Sequence, residues 1–159
     1  MKKNTILFLI IICAICTSCH KMDVNKFTGT YSYKTSGDID VTTDLTTINV
    51  PLSKELGTMH IIKDEKGGMY DVKIVMNELG GEIYTAYGNV DGDKITIFSY
   101  ERPLNINLLT LSNTSPTVIC HGKGLLKNGV LVITQDIFCS DDNYTIEGSG
   151  ITTVAELND

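Results

Sequence analysis

The chain has 159 residues, with 13 Lys and Arg against 19 Asp and Glu and a net charge of −6. That length suits one domain with a real core. So acidic a chain, with no basic cluster, excludes a nucleic-acid binder, whose affinity rests on neutralising phosphates, and a surface for anionic headgroups.

The N-terminus comes first in chain order. Lys2 and Lys3 precede ten apolar residues, "ILFLIIICAI" at 6–15, followed by Thr17, Ser18 and Cys19. A membrane-spanning helix needs about 20 apolar residues. Ten suit the apolar region of a secretory signal peptide. Its removal takes two lysines and no acid, so the charge of the remainder is −8. "CTSC", Cys16 to Cys19, resembles the lipobox of bacterial lipoproteins, with Cys16 where leucine is usual. That resemblance implies cleavage between Ser18 and Cys19 and a thioether-linked diacylglycerol on Cys19. A further acyl chain usually joins the new amine. Two or three chains anchor stably, whereas one binds only marginally. The expected organisation is a signal peptide over 1–18, a lipidated tether over 19–26 and one β domain over 27–159. The expected location is the cell envelope, as an outer-membrane lipoprotein held to the membrane through Cys19.

After the tether the chain reads as strands, with turn signals every eight to twelve residues and no convincing helical period. Residues 36–56, "SGDIDVTTDLTTINVPLSKEL", read as a long connection in which only "TTINV" is strand-like and 51–56 forms a helical turn ended by Gly57. "GTMHIIK" and "MYDVKIVM" follow as strands. In the second, Tyr70, Val72, Ile74 and Met76 share a face. "GNVDGDKITIF" is a hairpin about Asp91-Gly92, which places Val90 opposite Asp93. Its register puts Tyr84, Ala86 and Gly88 on the face of Ile95 and Ile97, and groups Tyr87 and Tyr100 with Phe98. "GLLKNGVLVITQDIF" is a hairpin about Asn128-Gly129, with Lys127 opposite Val130, Leu126 opposite Leu131 and Gly124 opposite Ile133. Continued, that register sets Cys120 opposite Ile137 and one diagonal step from Cys139. Diagonal neighbours lie roughly 7 Å apart, slightly long for a disulfide, and a bulge at Gly122 or Gly124 would change the spacing. A Cys120–Cys139 disulfide is expected in an oxidising compartment, two small buried thiols being the alternative.

"FTGTYSYKT", residues 27–35, has Gly29 two residues before Tyr31. This resembles the Gly-x-Trp signature that opens lipocalin and related calycin barrels, with Tyr31 in the tryptophan position. The strand meander and the closing "YTIEGSGITTV" are similar to the calycin-like lipoproteins of Bacteroidetes-type bacteria. The resemblance implies a closed up-and-down barrel, sometimes with a small apolar ligand in its mouth. Three prolines, at 51, 103 and 116, fall at strand boundaries, so none blunts an open edge, and closure removes edges altogether. The expected fold is all-β, an antiparallel up-and-down barrel of about eight strands, with a β-sandwich as the alternative. Glycines 88, 122, 124, 148 and 150 suit bends at barrel corners.

No catalytic constellation emerges. His121 opposes Asp136, but Cys120 points to the other face, and an exposed cross-strand ion pair is the simpler reading. His60 reads as a surface strand residue and His20 as part of the tether. "NVDGDK" has its glycine in the wrong place for a calcium loop, and "SDDNY" is a solvated turn. No metal, cofactor or enzymatic activity is expected. The expected function is binding of a small apolar ligand or a protein partner, with Tyr31, Tyr84, Ala86 and Gly88 as candidate ligand residues. The rival expectation is a structural or interaction lipoprotein with a filled barrel. Small inward residues left uncovered would favour a cavity, and large residues in every layer would favour the rival.

Overall fold

The computed structural model describes residues 23–52, 55–65, 68–104 and 116–158. The expected signal peptide, Cys19 and His20 lie outside the described residues. A helical turn at 23–27 leads into ten strands. They are β1 (Gly29–Ser36), β2 (Asp38–Thr42), β3 (Thr47–Pro51), β4 (Glu55–Lys63), β5 (Val72–Glu78), β6 (Ile83–Asp91), β7 (Lys94–Pro103), β8 (Thr117–Lys127), β9 (Val130–Ser140) and β10 (Thr145–Leu157). Strands β1 and β4 to β10 are neighbours in order, all antiparallel. Pairing of β1 with β10, from Tyr31↔Leu157 to Ser36↔Thr152, closes them into an eight-stranded barrel. The β2–β3 hairpin stands outside, joined to the first part of β10. The barrel expectation is met, and the sandwich alternative is not.

Alternation fills the interior, as a half-buried strand requires. Met59, Ile61, Val72, Ile74, Ile95, Leu131, Ile133 and Ala155 are buried towards one end, the base. Val24 and Phe27 of the helical turn are buried too, and the Tyr31 hydroxyl donates to the Phe27 carbonyl at 2.9 Å. The chain is therefore part of the fold from residue 23, inside the stretch expected to be tether. Lys26 adds surface pairs to Asp23 and, in the β6–β7 turn, Asp93, both at 3.2 Å.

Two hairpins close the base. Asn128 and Gly129 both adopt positive φ, 52° and 77°, as a type I′ turn requires, and the register from Lys127↔Val130 to Gly124↔Ile133 is as expected. The β6–β7 turn differs. Gly92, at φ 63°, is its first central residue and Asp93 its second. This is the glycine-first pattern of a type II′ turn. Val90 consequently opposes Ile95 rather than Asp93. The slip is even, so every residue keeps its face.

The expected long connection at 36–56 is instead the β2–β3 hairpin, in which the strand-like "TTINV" becomes β3, and residues 55–56 already belong to β4. Gly57 ends no helix. It lies in β4, where an added Cβ would meet the Asn77 carbonyl and the Tyr33 ring. Glycines 88, 122 and 124 mark no corner either, for each sits in regular pairing. They let large neighbours in: Ile95 lies over both Gly88 and Gly124, and Gln135 lies against Gly122.

Two bulges shift register, one in β7 between Ile97 and Tyr100, the other in β10 between Gly148 and Ile151. In β7, Phe98 and Ser99 both face outward, so Tyr100 and Arg102 turn inward. The expected grouping of Tyr87, Phe98 and Tyr100 is therefore split. Tyr87 and Phe98 lie outside, each against the Tyr70 ring at 5.0 and 5.1 Å, while Tyr100 is buried. Tyr70 likewise leaves the face of Val72, Ile74 and Met76. No bulge interrupts β8–β9, so Cys120 stays opposite Ile137, and Cys120 and Cys139 are free thiols. The expected disulfide is absent because the unbroken register holds the two at a diagonal step, too far to bridge.

Candidate functional site at the barrel mouth

The interior changes character away from the base. Towards the opposite end, the mouth, apolar Met76, Val118, Ile137 and Ile151 face inward together with Tyr33 and Thr35 of β1, Glu55 of β4, Tyr84 of β6, Tyr100 and Arg102 of β7, Cys120 of β8, Gln135 of β9 and Thr153 of β10. All are buried. Buried polar groups require partners, because an unpaired one loses its water and gains nothing. One set is satisfied in a chain. The Tyr100 hydroxyl donates to Gln135 Oε1 at 2.9 Å, Gln135 Nε2 donates to Thr153 Oγ1 at 2.8 Å, and the Thr153 and Thr35 hydroxyls share a bond at 2.7 Å.

The second set centres on Arg102, the only arginine in the sequence. It is 2% exposed and Glu55 6% exposed, and Arg102 Nη1 donates to Glu55 Oε1 at 2.8 Å. The pair crosses the lumen, since β5 and β6 separate β4 from β7 in the wall. The guanidinium carbon lies 5.7 Å from the Tyr84 ring centre, and Tyr84 stacks nearly parallel on Tyr100 at 5.8 Å. That placement adds a cation–π attraction. The Tyr33 and Tyr84 hydroxyls are 3.5 Å apart, too far for a strong bond. Arg102 Nε and Nη2 are buried with no hydrogen-bond partner.

Electrostatics follow from burial. Loss of water works against the charge of Arg102, but attraction to Glu55 and its other neighbours prevails and raises its pKa above the usual arginine value. Burial pushes Tyr84 and Tyr100 up as well, so both remain hydroxyl donors. It also pushes up the Cys120 thiol, which lies beside Arg102 and Tyr100. Glu78, half-buried near Arg102, has its pKa raised by burial and by repulsion from Glu55. Among the described residues the mouth is thus a buried polar cluster in which one guanidinium is paired with a carboxylate and surrounded by neutral hydroxyls.

The four candidate ligand residues do not converge. Tyr84 belongs to the mouth cluster. Ala86 lies one inward step towards the base, and Gly88 one further, beneath Ile95. Tyr31 is at the base against Phe27. Sequence reasoning missed Glu55, Arg102, Gln135 and Thr153. Uninterrupted alternation from Ile95 and Ile97 points Glu101 inward and Arg102 outward, and only the bulge reverses this. The one usable signal was compositional: a lone arginine in a chain otherwise using lysine.

The remaining candidates stay simple. His121 Nε2 and Asp136 Oδ2 are 3.6 Å apart on the exposed wall. His60 Nδ1 is 3.0 Å from the Thr30 hydroxyl, also outside. Asp141 and Tyr144 close a turn through a backbone bond at 2.9 Å. Among the described residues no three His, Cys, Asp or Glu side chains are grouped to hold a metal ion, and no helix is long and apolar enough to cross a membrane. Comparison with known sequence families, curated proteins and solved structures matches none of them.

Proposed function

We propose that this chain is a lipid-tethered extracytoplasmic barrel that binds a small molecule at its mouth and performs no chemistry on it. One observation carries the binding reading: a buried guanidinium inside the barrel with two nitrogens lacking partners. Folding alone gives no reason to bury such a group, because each unmet donor costs about 1–3 kcal/mol. A ligand seated against Arg102, Tyr33 and Tyr84 supplies the missing acceptor. The tether reading rests on the leader and on Cys19.

A filled barrel that binds no small molecule is the second reading. It is favoured by the packing of Ile95 over Gly88 and Gly124, which removes the space those glycines would otherwise leave. A ligand therefore belongs to the mouth half alone. Native mass spectrometry of protein purified from its own membrane tests both parts. The expected spectrum carries acyl mass at Cys19 and a retained small molecule released on unfolding. An unmodified Cys19 overturns the tether. A bare chain, with no thermal shift against carboxylic acids, alcohols and amides, leaves the filled barrel.

A further inference from the structure

The two unpartnered nitrogens of Arg102 are chemically related. In a guanidinium, Nε–H and one N–H of Nη2 point side by side along a single edge. That edge forms two parallel bonds to a carboxylate. Glu55 does not use it, because its Oε1 takes Nη1 at 2.8 Å. The side chain is held by Glu55 at one position and by the Tyr84 face at 5.7 Å, with the bidentate edge left over. We infer that the mouth reads the head of its ligand, and that the head is a carboxylate gripped by Arg102 Nε and Nη2.

This rests on the proposed small-molecule binding and names the ligand's class. A single planar monoanion fits the donors. Glu55 already balances the guanidinium charge and half-buried Glu78 stands nearby, so every added negative charge is uncompensated and, among anions, a monoanion costs least. A phosphate dianion would bring a second charge with no second cation among the described mouth residues. The Tyr33 and Tyr84 hydroxyls, 3.5 Å apart and only loosely engaged with each other, are further donors to a carboxylate oxygen. The tail of the ligand meets the stacked Tyr84 and Tyr100 rings rather than the filled base.

The test uses the full chain with its native N-terminus, titrated with octanoate and with octanamide. These probes share a tail and differ only at the head. The readouts are affinity and the NMR signal of the Arg102 Nε–H, which is assignable because the chain has one arginine. Octanoate should bind at least ~10-fold more tightly than octanamide and move the Nε–H signal strongly, as expected for a charged acceptor. Arg102→Lys, which keeps the charge and loses the fork, should cancel the preference. Should that variant fail to fold, the Nε–H response of the unaltered chain decides. Equal binding of both probes with an unmoved Nε–H would overturn the carboxylate assignment and leave small-molecule binding standing. No binding of either probe, with Nε–H in contact with ordered water, would overturn both.

Discussion

At the scale of the residue, the Arg102–Glu55 pair puts function and stability in opposition. A buried ion pair recovers its desolvation cost only when its remaining donors and acceptors are met. Here Nε and Nη2 are not met. Arg102→Met alone leaves the Glu55 carboxylate in a dry lumen without its cation, and should cost about 3–5 kcal/mol. Arg102→Met with Glu55→Leu removes both charges and keeps most of the volume. It should be at least as stable as the unaltered chain, because replacing such pairs with apolar side chains is often neutral or stabilising by about 1–4 kcal/mol. Urea denaturation of the two variants measures this directly. A double variant as damaged as the single one would mean that Arg102 and Glu55 serve the fold, and that the free edge has no separate purpose.

At the scale of the element, the bulge in β7 decides what the barrel contains. Phe98 and Ser99 together oppose His121, between the pairs Ile97↔Gly122 and Tyr100↔Cys120. An outward Phe98 runs against the apolar-inside rule, and the Tyr70 and Tyr87 rings on the outer wall compensate for it. Deleting Ser99 restores plain alternation from Ile97 and still leaves Tyr100 and Arg102 facing in. Deleting Thr96, three residues earlier, reverses the faces of the strand beyond it unless the pairing slips. The Ser99 deletion should therefore melt cooperatively and keep the single-arginine Nε–H signal of the buried pair. The Thr96 deletion should lose both, as read by thermal denaturation and NMR.

The same element explains what the sequence made legible. Turn chemistry is local, so Asn128-Gly129 gave the β8–β9 register correctly as far as Cys120↔Ile137. At Asp91, Gly92 and Asp93 two turns compete, and the buried pair Val90↔Ile95 selects the glycine-first one. Strand β2 was hidden, and of this hairpin only "TTINV" read as a strand, because the hairpin lies outside the barrel, with Ile39 and Val41 buried among Thr, Asp and Asn that face water. A bulge adds one residue and leaves no compositional mark, so the inward turn of Arg102 and Thr153 could not be read. Of the buried polar mouth residues, three, Tyr100, Arg102 and Thr153, lie on the two bulged strands beyond the bulges in chain order.

At the scale of the whole molecule, the barrel has a dry base and a polar mouth, and the chain joins it at the base. The helical turn at 23–27 packs Val24 and Phe27 there, beside the 92–93 and 128–129 turns. If Cys19 carries lipid, the four residues from it to Asp23 reach at most ~14 Å. A nine-residue strand such as β6 spans ~30 Å. The tether is too short to bring the mouth down to the bilayer without lifting the base away from its own anchor, so the barrel should stand on its base with Arg102 opening away from the membrane. Hydrogen exchange of the lipidated chain on vesicles, compared with a Cys19→Ala chain free in solution, reads this orientation. Backbone amides of 90–94 and 127–130 should slow on vesicles, while those of 79–82 and 141–144 should exchange alike in both. Slowing at 79–82 and 141–144 instead would put the mouth against the bilayer, where a ligand would arrive from lipid rather than from water.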